Sequence, residues 1–160
     1  MGATAAMVTH QGGDSMLRGN YPAKVDDKGR VKVPGAYLTE LRELGEQFYI
    51  TSENGDHARL YPMKAWKEIE DKLAKVSSHN ASKKKFLART NYYGQVVELD
   101  GQGRILIPAV LRESAQMKGE VDVLGNLTYL EIWNHDRFTD DMSRNPITAE
   151  DERILDELGI

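Results

Sequence analysis

Residues 25–34 read VDDKGRVKVP, and residues 99–108 read LDGQGRILIP. Asp, Gly, Arg and Pro hold the same places in both stretches. Asp26 and Asp100, Gly29 and Gly103, Arg30 and Arg104, and Pro34 and Pro108 are each 74 residues apart. A constant offset over ten residues marks an internal repeat, and two copies mean tandem units rather than a solenoid. Each copy reads as strand, turn, strand, helix. The glycine supplies the backbone freedom that a tight turn or bulge needs. Val31 and Val33, like Ile105 and Ile107, then alternate as a strand with one buried face. Pro34 and Pro108 stop the strand and suit a helix start.

Working outward, the pattern predicts helices over 35–45 and 109–119, closed by Gly45 and Gly119. Strands follow at 47–51 and 58–61 in the first unit, and at 121–125 and 129–133 in the second. Their turns are expected at 53–56 and 125–126. Trp66, Ile69, Leu73 and Val76 lie at helical spacing behind Pro62. A connecting segment begins polar and turns helical from Asn80, with Phe86 and Leu87 inward. Asn134 caps a short helix containing Phe138 and Met142, and Thr148 caps a last, acidic one. Four short strands bury a core poorly, so the two units are expected to pair about a pseudo-two-fold axis. The predicted organisation is a lead-in at 1–15, a first unit at 16–80, a connector at 81–93, a second unit at 94–147 and a helix at 148–160. Met16 reads as an alternative start.

Composition bounds the function. The 160 residues are 40% hydrophobic and 29% charged, with a net charge of −4 and no cysteine. Disulfides and cysteine-based metal sites are excluded. No apolar run reaches the length of a membrane span, and residues 1–15 do not look like a secretory signal. The charge is split along the chain. Residues 16–34 carry five cations against Asp26 and Asp27, net +3, whereas 140–160 carry seven acids against Arg144 and Arg153, net −5. His10, His57, His79 and His135 share no ligand spacing, so neither a metal nor a cofactor is expected. No nucleophile elbow or phosphate-cradling loop points to an enzyme.

Residues 16–34, MLRGNYPAKVDDKGRVKVP, together with the paired motifs Asp26/Arg30 and Asp100/Arg104, resemble the MraZ family across 16–160. That resemblance implies an α+β fold, a tandem pair of AbrB/SpoVT-type swapped-hairpin units forming a β-barrel with flanking helices. It also implies a cytoplasmic, nucleoid-associated transcriptional regulator. Such a protein binds repeated boxes in double-stranded DNA upstream of the division and cell-wall operon, as a homo-oligomeric ring. An alternative is a regulator that grips a partner enzyme, such as the ribosomal RNA methyltransferase encoded nearby.

The residues support a site of their own. A two-stranded ribbon fits the major groove, where Arg30 and Arg104 could each bond a guanine edge bidentately. Arg18, Lys24, Lys28 and Lys32 would hold phosphates. Asp26, Gly29, Asp100 and Gly103 are assigned to shaping the turns. The competing reading is an Asp–Arg pair that merely fixes the turn, worth about 0–1 kcal/mol when exposed. DNA contact is preferred for the arginines, provided they stand outward instead of folding back on their aspartates. Gln102 and Leu106 replace Lys28 and Lys32 in the second copy, so the first unit is expected to dominate. Lys83, Lys84, Lys85 and Arg89 read as a solvated helix face. Trp66 and Trp133 read as core or interface anchors.

Overall fold

A computed structural model describes residues 16–160; the expectations for 1–15 lie outside the described residues. Eight strands and six helices alternate among them. The first repeat supplies β1 (Asn20–Val25), β2 (Arg30–Lys32), α1 (Gly35–Glu43), β3 (Gln47–Thr51), β4 (Ala58–Pro62) and α2 (Met63–Ala74). Helix α3 (Ala81–Tyr92) leads into β5 (Gln95–Glu98), β6 (Arg104–Leu106), α4 (Ala109–Ser114), β7 (Gly119–Asn126), β8 (Tyr129–Asn134) and α5 (His135–Arg144). Helix α6 (Ala149–Glu157) closes the described chain.

The strands form one antiparallel sheet in the order β5-β3-β4-β8-β7-β1-β2-β6. The strands of the two repeats interleave. Strand β1 pairs with β7 of the other repeat over six residues, and β5 pairs with β3 over four. Exchanging the repeats maps this order onto itself once β6 is brought beside β5. The sheet is therefore a nearly closed barrel with a pseudo-two-fold axis. Pairing is sparse at two equivalent places: β1 and β2 share only the pair Val25↔Val31, and β5 and β6 meet through their turn. At one pole of the axis lies Val31↔Ile105, and at the other Arg59↔Glu131.

Alternation fills the barrel. Val31, Val33, Phe48, Ile50, Leu60, Ile105, Ile107, Val121, Val123, Leu130 and Ile132 are buried inside, joined by Leu41 and Leu111 from α1 and α4. Trp66 packs outside against Tyr49, Tyr61 and Phe86, and Trp133 stacks on the His57 ring at 4.2 Å. Both tryptophans are buried. Helix α3 begins at Asn80, whose side chain accepts from the Lys83 amide, and α6 carries a full capping box between Thr148 and Asp151.

Two local expectations are corrected. The helix expected over 109–119 stops at Ser114. Ala115 and Met117 are buried, and the chain turns inward through Gln116 at φ 53, so Gly119 opens β7 instead of closing a helix. The turn expected at 125–126 falls later. Strand β7 runs to Asn126, and Leu127 takes φ 64. Two backbone bonds with Leu17, at 2.8 and 2.9 Å, hold Leu127 there.

Candidate nucleic-acid interface

The two motifs build the same turn. In the first, the amides of Lys28 and Arg30 donate to Asp26 Oδ1 at 3.0 and 2.8 Å. Arg30 Nε donates to Asp26 Oδ2 at 2.8 Å. In the second, Gln102 and Arg104 donate from their amides to Asp100 Oδ1 at 2.8 and 2.9 Å, and Arg104 Nε donates to Oδ2 at 2.7 Å. Backbone bonds close each loop, from Gly29 N to Asp26 O and from Gly103 N to Asp100 O. The spacing follows from this geometry. A short carboxylate can satisfy two amides two and four residues ahead, while glycine adopts the required φ of +83° and +76°. The bond from the Arg104 amide, followed by its guanidinium bond and the Gln102 amide, holds the Asp100 carboxyl at about 2. The Arg30 amide likewise lowers Asp26.

The arginines fold back on their aspartates, contrary to the outward pose expected from sequence. The carboxylate lies within reach of Nε once its other oxygen has captured the loop amides. Neither group is sealed, however: the Arg30 and Arg104 side chains are 28% and 25% exposed. The aspartate engages Nε alone. Nη1 and Nη2 of both arginines have no hydrogen-bond partner among the described residues. A guanidinium anchored at Nε and open at its far end is aimed rather than neutralised, and its two outer nitrogens keep the bidentate geometry that base edges and phosphates accept.

Register brings the two arginines together. Arg30 lies opposite Leu106, and Lys32 opposite Arg104, across the β2–β6 pair. Directly opposed residues share a face. Because Val31 and Ile105 are buried, Arg30, Lys32, Arg104 and Leu106 all lie on the outer face of the barrel. Arg30 and Arg104 form a diagonal pair, about 7–8 Å apart by sheet geometry and somewhat less between their Cβ atoms. Lys24 is exposed on the same face of β1, although Glu120 stands opposite it on β7. Lys28 is exposed at the turn tip. Arg18 is not part of this group. It precedes β1 at its far end, roughly 25 Å along the strand from Asp26 at ~3.3 Å per residue.

Sequence reasoning missed Arg112. This α4 residue reaches over the first turn, and its Nη1 donates to the Lys28 carbonyl at 2.7 Å. Its guanidinium fills the space where a side chain on Gly29 would stand. At the equivalent place in the second turn, Leu38 of α1 covers Gly103. The available signal was the offset of 74 itself, which pairs Leu38 with Arg112. Extended over the face, it pairs Lys24 with Glu98, Lys28 with Gln102, Arg30 with Arg104, and Lys32 with Leu106. The first turn thus draws on five cations against the exposed Asp27, whose counterpart is Gly101, and the second on one cation and one acid.

The remaining basic cluster lies elsewhere. Lys84, Lys85 and Arg89 are exposed on α3, and Lys83 Nζ donates to the Val76 carbonyl at 2.8 Å. Among the described residues no group of His, Asp or Glu is placed to hold a metal ion, and no helix is long and apolar enough to cross a membrane.

Comparison with known proteins bears on this site. The family described as "MraZ protein, putative antitoxin-like" matches twice, over residues 16–89 and 94–158. A protein of Acidobacterium capsulatum named "Transcriptional regulator MraZ" is 51% identical over 146 residues, covering 91% of this chain and 100% of its own length. One of the same name from Koribacter versatilis is 50% identical over 147 residues, with the same coverage. Another, from Caldicellulosiruptor saccharolyticus, is 37% identical over 147 residues. Two family matches, one on each copy of the D-x-x-G-R turn, and relatives aligned along their whole length lead to one conclusion: the chain belongs to the MraZ family.

Proposed function

We propose that this chain is a transcriptional regulator that binds double-stranded DNA through the outer face of β1, β2 and β6. Arg30 reads a guanine edge in the major groove, and Arg104 takes a lesser share. Lys24, Lys28 and Lys32 engage flanking phosphates, and Arg18 meets the backbone farther along. The observation that carries this reading is the register that sets Arg30, Lys32 and Arg104 on one exposed face, with each arginine anchored at Nε and open at its far end. A ribbon of two short strands suits a groove about 12 Å wide. The net charge of −4 is no obstacle, because the local field governs association.

One such face makes few contacts. Copies displayed on a homo-oligomeric ring would engage successive boxes at high effective concentration. This assembly, and boxes upstream of the chain's own division and cell-wall operon, follow the family resemblance. The test is Arg30→Ala, read by gel shift on the upstream region and by sedimentation. Specific affinity is expected to fall by about tenfold or more, as for loss of one bidentate base contact, while sedimentation stays unchanged. Parental affinity in the variant would overturn the reading.

A second reading has its own support. Helix α6 contributes no buried residue, and Ile147, Ile154 and Leu158 are exposed along it and just before it. Such a stripe suits a protein partner, for which a methyltransferase is the candidate. Binding through it would respond weakly to salt, whereas binding through the cationic face would weaken steeply.

A further inference from the structure

We propose that Arg112 is a phosphate contact that completes the first turn from across the pseudo-two-fold axis. The inference rests on the reading that the β1–β2–β6 face binds DNA, and it adds a residue from the opposite repeat.

Three observations carry it. First, Arg112 belongs to α4 of the second repeat but lies over the first turn, where Nη1 donates to the Lys28 carbonyl at 2.7 Å. Second, Gly29 is the residue that makes room. A Cβ there would stand 1.4 Å from Arg112 Nη1 and 2.5 Å from Cδ, so the Arg112 side chain occupies the space the glycine leaves. Third, the arrangement is one-sided. Leu38, the counterpart of Arg112 in the first repeat, covers Gly103 with methyl groups 3.1 and 3.3 Å from the same ideal position. Covering a turn glycine therefore needs no charge, because leucine does it in the sister turn. What arginine adds is a cation beside Lys28, Arg30 and Lys32.

The single bond to Lys28 employs Nη1. The other nitrogens have no hydrogen-bond partner among the described residues, and the side chain is only half-buried. An Nη1 held by a carbonyl fixes the plane of the fork, which presents its remaining donors to an anion at the turn. The geometry fits a backbone phosphate beside the groove, since phosphate contacts position the protein without reading sequence.

The experiment separates charge from packing. Arg112→Gln keeps a donor for the Lys28 carbonyl and loses the charge, whereas Arg112→Lys keeps the charge. Full-length proteins are titrated against the upstream duplex and a scrambled duplex between 50 and 200 mM salt, conditions over which phosphate contacts register strongly. Arg112→Gln is expected to weaken both duplexes alike, and to reduce the slope of log affinity against log salt by about one for each chain engaged. Arg112→Lys is expected to retain the slope. Leu38→Arg, which places the same cation over the second turn, is expected to raise the slope by about one. If Arg112→Gln keeps the parental slope, or if Leu38→Arg leaves the slope unchanged while the protein remains folded, the inference fails. Arg30→Ala in the same assay distinguishes the cases. Loss with Arg30→Ala but not with Arg112→Gln rejects only this contact, and loss with neither rejects the DNA face itself.

Discussion

At the residue scale, each turn is held by one ionised carboxylate. The sign of the linkage is fixed by the direction of the shift. Asp100 falls from 3.8 to about 2 in the folded chain, chiefly through the Arg104 amide, so the unfolded state binds the proton more readily. Its contribution to stability is present above about pH 4 and is lost as pH falls towards 2. Asp26 shifts in the same direction. Urea unfolding at stepped pH is expected to show stability dropping across that window, and Asp100→Asn should make the drop shallower. Glycine gives a second prediction. Gly29→Ala and Gly103→Ala both place a side chain at positive φ, a strain of about 1–2 kcal/mol. The added methyl group meets a leucine at Gly103, but at Gly29 it expels Arg112. Gly29→Ala should therefore also weaken DNA binding more than Gly103→Ala, as gel shifts of the two variants would show. The aspartate and glycine of these turns were legible in the sequence because their chemistry is local, closing within five residues. The pose of the arginines was not, because Nε and the outer nitrogens of one side chain can serve two partners at once.

At the scale of elements, the β2–β6 ribbon separates structure from recognition by alternation alone. Ile105 is fully buried and Leu106 is half exposed beside it. Ile105→Ala is expected to cost about 2–5 kcal/mol in denaturant unfolding, whereas Leu106→Ala should cost under about 0.5 kcal/mol. Helix α6 stands at the other extreme. It is stabilised within itself by its capping box and by Arg153 bridging Glu150 and Glu157, with nothing buried against the barrel. Removing residues 146–160 should shift the thermal midpoint by less than about 4 °C, since under 1 kcal/mol is at stake. Most elements were readable from periodicity and punctuation, because Pro34, Pro62 and Pro108 each stand immediately before a helix. The failures had non-local causes. Helix α4 ends early because the core takes Met117, and the Asn126–Tyr129 turn is set by Leu17, which lies 110 residues from Leu127. Arg112 was hidden because its target, Lys28, is 84 residues away.

At the scale of the molecule, the repeat was legible and the interleaving rested on resemblance, since no local pattern states that β1 takes β7 as its neighbour. Interleaving means that neither half holds its own sheet. Separately expressed 16–80 and 81–160 should each lack a cooperative thermal transition by circular dichroism, and mixing them should restore one. An independent transition in either half would contradict the shared barrel. The same arrangement imposes an order on synthesis. When the first 80 residues have left the ribosome, β1 and β3 are complete, but their partners β7 and β5 have yet to be made. Their open edges and alternating apolar faces must wait for about 50 further residues, some seconds at ordinary translation speeds of about 5–20 residues per second. A nascent chain in that interval is a template for another strand, and on a crowded polysome the nearest available strand belongs to a sister chain.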